Sequence, residues 1–316
     1  MSQKIKVAIS ACLLGQKVRY NGQHKQSAFC VRVLSEWFDF LPICPEVEIG
    51  MGIPREPIHL VQTEQGIRAQ NISDHSEDYT DALAALAEQK KSQLQDVCGY
   101  IFMQKSPSCG AFRVKIYHPN GNPIQGSSAG IYADRVISNH PQLPVEEAGR
   151  LNDTHLRENF ITRVYANHEW QQTVMQNPTP QALVDFHMRH KYLLFAHAVE
   201  KFRELGRLVA AAGQEDLEVL LDQYHTLFMQ CLSKPASLKN HINVMYHVLG
   251  YMKRELQPDA KKEIIDVIER YRQKAVNLIV PLTLLKHYVN VYQIDYMQQQ
   301  KYLSPYPYEL GLRNNI

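Results

Sequence analysis

Three short apolar runs punctuate the first third of the chain: KVAISACLL at 6–14, FDFLPI at 38–43 and VCGYIFM at 97–103. Segments of helical spacing separate them, SAFCVRVLSEWF at 27–38 with Ser27 as its cap, and a longer one at 74–95. Buried strands alternating with amphipathic helices predict an α/β domain with a mostly parallel sheet over residues 1–150. Pro42 should end the second strand or put it at an edge. Beyond the third run, FRVKIYHPNGNP reads as a short strand and a turn, and Ser127-Ser128 as the opening of a helix through Ile137.

The texture changes at residue 152. Asn152-Asp153-Thr154 offers a helix cap, and helical periodicity then dominates, broken at Asn177-Pro178-Thr179-Pro180, Gly213, Pro235 and Pro258. Residues 151–316 therefore read as an all-α domain of about five helices. The tail SPYPYELGLR, with Pro305 and Pro307, is expected to be non-helical and to lie along the surface.

Hydrophobic residues make up 45% of the 316 and charged residues 21%, which excludes a disordered chain. No run approaches the ~18 apolar residues of a membrane span. The first apolar stretch is interrupted by Ser10 and Gly15, with charge returning at Lys17, unlike a signal peptide. The expectation is a cytoplasmic protein with reduced cysteines. A net charge of +2 neither announces nor excludes a nucleic-acid partner.

Of six cysteines, Cys12, Cys44 and Cys109 each follow an apolar run, in SACLLG, PICPEV and SPSCG. The carboxyl ends of parallel strands share one edge, so these three should converge in a crevice there. Three thiolates could be plain core residues, part of a zinc site, or three corners of a [4Fe–4S] cluster with one iron open. No Cys-x2–4-Cys pair is present, which disfavours zinc. Cys30, Cys98 and Cys231 sit within helix faces or a strand and read as core.

SACLLG with KVRYNGQHK, then CPE, then SPSCG, resembles the thiouracil desulfidase (TudS-like) family over roughly residues 4–150. The resemblance implies a [4Fe–4S] cluster on Cys12, Cys44 and Cys109, whose free iron takes the sulfur of a thiolated pyrimidine. DFHMRHKYLLFAH and YLSPYPYEL resemble the YbgA-type domain. The combination is similar to the RudS-type proteins, which desulfurate 4-thiouridine in transfer RNA. A transfer RNA and its thiolated pyrimidine are thus the implied partners.

Such chemistry is hydrolytic: water adds to carbon and sulfide leaves, which needs a general base and a proton source. Glu46, two residues beyond Cys44, is the candidate base, and Ser106 could orient the pyrimidine or relay a proton. Arg19, His24 and Lys25 beside the Asn21-Gly22 turn, together with Ser27, Lys105 and Ser108, are candidate substrate contacts. In the helical half, Arg189, His190 and Lys191 stand among aromatic residues and are candidate RNA contacts. That half carries 19 Lys+Arg against 17 Asp+Glu, so composition alone does not mark it as RNA-binding. A free thiouracil substrate, or a non-catalytic metal protein binding RNA or a partner, remains open on the residues themselves.

Overall fold

The computed structural model describes residues 4–316. Its contacts divide the chain after Asn152 into two compact units. In the first, β1 (Ile5–Ser10) lies between β2 (Phe38–Ile43) and β5 (Tyr100–Phe102), and β8 (Val145–Glu147) extends the sheet beyond β5. Each neighbouring pair is parallel. Val7, Ala8 and Ile9 on the inner strand are inaccessible to solvent, as a parallel strand covered on both faces requires. Pro42 sits in the edge strand β2, where its missing N–H costs no ladder bond.

A second four-stranded sheet has the order β4-β3-β6-β7, formed by β3 (Ile58–Thr63), β4 (Gly66–Asn71), β6 (Val114–Tyr117) and β7 (Pro123–Ser128). The β3–β4 hairpin, whose turn closes on Gly66 at φ 103°, is absent from the sequence expectations. The helix expected from Ser127 begins instead at Ile131, because Ser127 and Ser128 pair with β6.

The helices of this unit are α1 (Ala28–Arg32), α2 (Pro45–Glu48), α3 (Thr80–Gln89), α4 (Lys91–Gln95) and α5 (Ile131–Asn139). Three expectations are corrected by local side-chain bonding. The helix expected from Asp74 begins at Thr80, because the Asp74 and Asp78 carboxylates take the N–H groups of Ser76 and Thr80 into turns. The one expected over 27–38 stops at Arg32, followed by a 3-10 turn, where the Ser35 hydroxyl donates to the Val31 carbonyl at 2.6 Å. The first apolar run is strand only to Ser10; Ala11–Leu14 winds into a 3-10 turn closed by Gly15 at φ 91°.

The second unit holds eight α-helices among the described residues rather than about five. They are α6 (Thr154–Trp170), α7 (Pro180–His197), α8 (Val199–Ala211), α9 (Leu217–Leu232), α10 (Leu238–Tyr251), α11 (Pro258–Arg272), α12 (Ile279–Val291) and α13 (Asp295–Gln298). Two long periodic stretches are each two helices, parted at Ala198 in extended backbone and at Lys274 with φ 59°. Asp153, Thr179, Asp216 and Ser237 cap α6, α7, α9 and α10 through side-chain oxygens, each contributing about 1 kcal/mol. Trp170 anchors the core, stacked on His225 at 4.8 Å and on Tyr224 at 5.5 Å. The tail lies partly along the surface, with Ser304, Tyr308 and Glu309 exposed, but it makes two 3-10 turns and buries Arg313, which donates to Glu158 at 3.0 Å and to the Tyr302 carbonyl at 2.7 Å.

Candidate active site

The carboxyl ends of β1, β2 and β5 open onto a cavity of about 660 Å³. Cys12 on its 3-10 turn, Cys44 at the start of α2 and Cys109 in the loop after β5 all line it. Glu46, Arg19, Lys25, Lys105 and Ser106 line it too.

Backbone bonds explain how the first loop reaches this wall. The Lys25 N–H donates to the Cys12 carbonyl at 3.0 Å and the Ser27 N–H to that of Leu13 at 2.9 Å. Residues 16–27 are thereby folded back over the cysteine turn, which carries Arg19 and Lys25 to the cavity. The third loop is shaped by serines: the Ser106 hydroxyl accepts from the Cys109 N–H at 3.1 Å. The buried Glu147 carboxylate accepts from the N–H groups of Ala111 and Phe112. Gly110 is required by crowding, since a Cβ there would lie 2.8 Å from the Ser106 carbonyl oxygen.

Glu46 is held from two sides. The Arg55 guanidinium donates Nε–H and Nη2–H to Oε2 at 2.9 and 2.5 Å, and the Ser108 hydroxyl donates to Oε1 at 2.6 Å. Arg55 is only 4% exposed and also donates to the carbonyls of Gly52 and Val18. Ser106 lies 3.0 Å from Ser108, so a hydroxyl chain leads from the cavity wall to Glu46. Burial, then the neighbouring Cys44 charge, pushes the Cys12 thiol up to about 11. Burial also raises Cys44 and raises Cys109 well above the ordinary range, with Glu46, Cys44 and Cys12 adding to the last. Cys12 and Cys109 are each disfavoured from ionising by a neighbouring sulfur, an arrangement that suits a cationic guest.

Several expected contacts lie elsewhere. Ser108 is fully buried and does not line the cavity; its hydroxyl meets Glu46, Ser106 and, at 3.7 Å, the Cys109 sulfur, all of which do. Ser27 spends its oxygen capping α1 on the Cys30 N–H, and His24 Nδ1 accepts from the Gln26 N–H; neither lines the cavity. His190 is 1% exposed, with Nδ1–H on the Phe186 carbonyl, so it is a core residue and not an RNA contact. Arg189 is paired with Glu169 at 3.1 Å, while the Lys191 ammonium lies 5.6 Å from the Tyr192 ring. Among the described residues, no three His, Cys, Asp or Glu side chains are drawn together tightly enough to grip a single metal ion. Arg55 and Tyr20 are cavity residues that the sequence reading passed over. Tyr20 carried a signal, since it stands in the quoted motif; Arg55 carried none.

Comparison with known proteins follows the same division. Residues 7–148 match the family described as 2-thiouracil desulfurase, and residues 191–307 match a protein family of unknown function, DUF1722. The uncharacterized protein YbgA of Escherichia coli (strain K12) is 31% identical over 156 residues, 49% of this chain and 92% of its own length. The chain belongs to the YbgA family and carries a 2-thiouracil desulfurase domain. The desulfurase-domain chain is also similar to the uncharacterized protein YbbK of Bacillus subtilis (strain 168), 28% identical over 127 residues, covering 38% of this chain and 83% of YbbK. Among solved structures it is similar to the [4Fe-4S]-dependent thiouracil desulfidase TudS, at 30% identity and a TM-score of 0.37, over 47% of this chain and 94% of that one. No helix among the described residues is long and apolar enough to cross a membrane.

Proposed function

We propose that the chain is an iron-sulfur-dependent, non-redox desulfidase that converts 4-thiouridine in transfer RNA to uridine and releases sulfide. The observation that carries this reading is the meeting of Cys12, Cys44 and Cys109 in one cavity with a bonded Glu46. Soft sulfur donors on three separate loops fit a [4Fe–4S] cluster with three thiolate ligands. When bound, the cluster supplies a soft Lewis-acidic iron that polarises a thiocarbonyl.

The protein's own groups then divide the remaining work. The overall change consumes one water: its oxygen bonds to C4, the C4–S bond breaks, and hydrogen sulfide leaves with no net electron transfer. Glu46 takes the proton of the attacking water, with Arg55 holding its carboxylate in place. Ser106 and Ser108 offer a hydroxyl path between that carboxylate and the reacting base. Arg19, Lys25 and Lys105 surround the cavity with positive charge suited to a nucleotide phosphate. The helical half is assigned to gripping the RNA while the base is extruded, a step that costs a few kcal/mol. Its exposed Lys253, Arg254, Lys261 and Lys262 support that assignment.

The test is anaerobic reconstitution, iron and sulfide analysis, and incubation with thiolated transfer RNA. Loss of the 4-thiouridine absorbance with stoichiometric sulfide is expected. RNA left unchanged by a cluster-loaded protein would refute the assignment, and turnover of free thiouracil alone would reassign the substrate.

A further inference from the structure

Behind one wall of the cavity lies a second groove of about 650 Å³, on the outer face of the β3–β6 sheet. Ile58, Ile72, Lys105 and Pro107 line both, so the two adjoin across these residues. Alternation along β6 turns Val114 and Ile116 into the core and puts Arg113, Lys115 and Tyr117 on the opposite face. His59 of β3 stacks on the Tyr117 ring at 5.2 Å and holds it flat.

The charge of this groove is one-sided. Lys105, Arg113 and Lys115 line it, and no carboxylate does. Among the described residues neither Arg113 nor Lys115 has an ion-pair partner, although both are exposed. Unpaired cations beside an aromatic ring on an open sheet face are what a nucleic-acid strand needs: charge for its phosphates and a platform for a base. A free thiopyrimidine fills only the first cavity and has no use for this surface.

We propose that the groove holds the RNA strand adjoining the thiolated nucleotide, with Arg113 and Lys115 on its phosphates and Tyr117 under a neighbouring base. This rests on the desulfidase reading above and adds to it the path the strand takes on leaving the cavity. Selectivity for a polynucleotide then begins within the desulfurase domain itself.

The test compares full-length, cluster-loaded wild type with Arg113→Gln/Lys115→Gln on free 4-thiouridine and on a thiolated RNA. It also measures the anisotropy of a labelled, sulfur-free single-stranded RNA across a salt series. Turnover of the free nucleoside should be unchanged, while kcat/KM on RNA falls about 10-fold or more. The slope of log Kd against log salt should become shallower by ~1.4, from two lost phosphate contacts at ~0.7 each. Arg113→Lys/Lys115→Arg should restore both. An unchanged salt slope, or equal losses on nucleoside and RNA, overturns the proposal. A wild type that desulfurates the nucleoside but not the RNA would defeat the transfer-RNA assignment, and the sulfur-free strand would still decide the groove.

Discussion

Replacing Arg55 by methionine removes the whole grip on one oxygen of Glu46 while keeping the volume of the side chain. Glu46 loses two of its three hydrogen bonds and is left largely out of water, with only the Ser108 hydroxyl as donor. The Gly52 carbonyl loses its guanidinium donor as well, and the Val18 carbonyl keeps only the Cys44 thiol at 3.7 Å. The partners are 4% and 15% exposed, so solvent screens the pair weakly, and breaking such a pair costs about 3–5 kcal/mol. Glu46→Gln leaves the guanidinium its two carbonyls, and its cost should be smaller, about 2–3 kcal/mol. Because both changes remove one interaction, the double variant should be less destabilised than the sum of the singles by about 2 kcal/mol. Hydrogen exchange read on peptides from β1 and β5 measures this in the intact protein without requiring the two units to unfold together. Desulfidation in Arg55→Met should fall about 100-fold, the scale of a displaced general base. Single costs that add within about 0.5 kcal/mol would refute the coupling, and full activity in Arg55→Met would refute the role given to Glu46.

Serine at position 12, 44 or 109 should each abolish stable cluster incorporation, seen as lost iron and sulfide after anaerobic reconstitution, whereas Cys30→Ser, Cys98→Ser and Cys231→Ser should retain it. Gly110→Ala should push the third cysteine loop off the Ser106 carbonyl and lower iron retention without changing the helical unit's circular dichroism. Acid should weaken the helical unit, because burial lowers His187 and His190 to about 4 and His225 to about 3. The unfolded chain binds these protons from about pH 6.5 downward while the folded one refuses them, so stability is full above that pH and drains toward pH 4. In Trp37→Phe, where Trp170 is the one remaining tryptophan, emission during melting from pH 7 to pH 5 should show a falling midpoint; a flat midpoint would contradict the burial of these rings.

Three strands of the first sheet are legible from their short apolar runs, as at Val7–Ile9 and Tyr100–Phe102, which lie in strands covered on both faces; their order is not. The β3–β4 hairpin is harder to see. Its pattern is diluted by His59, which lines a charged groove, and by Arg68 and Gln70, which bond to Asp78 rather than face a core. Helix number in the second unit is illegible for another reason. Ala198 and Lys274 are residues that helices tolerate, and only tertiary contacts such as the His197 Nδ1–H bond to the Lys234 carbonyl mark the breaks. At the site, cysteines advertise themselves by chemistry and by loop position. Arg55 does not, because its meaning lies in partners 9 and 37 residues away.

Arg55 also joins pieces of chain that lie apart in the sequence. Its donors reach the loop that follows Cys12, the short helix that follows Cys44 and its own turn at Gly52. Two of the three sulfur-bearing segments are thereby clamped by a single flat cation. The spacing of those two sulfurs therefore hangs on a residue that supplies no sulfur itself, and a change at position 55 would be felt at both.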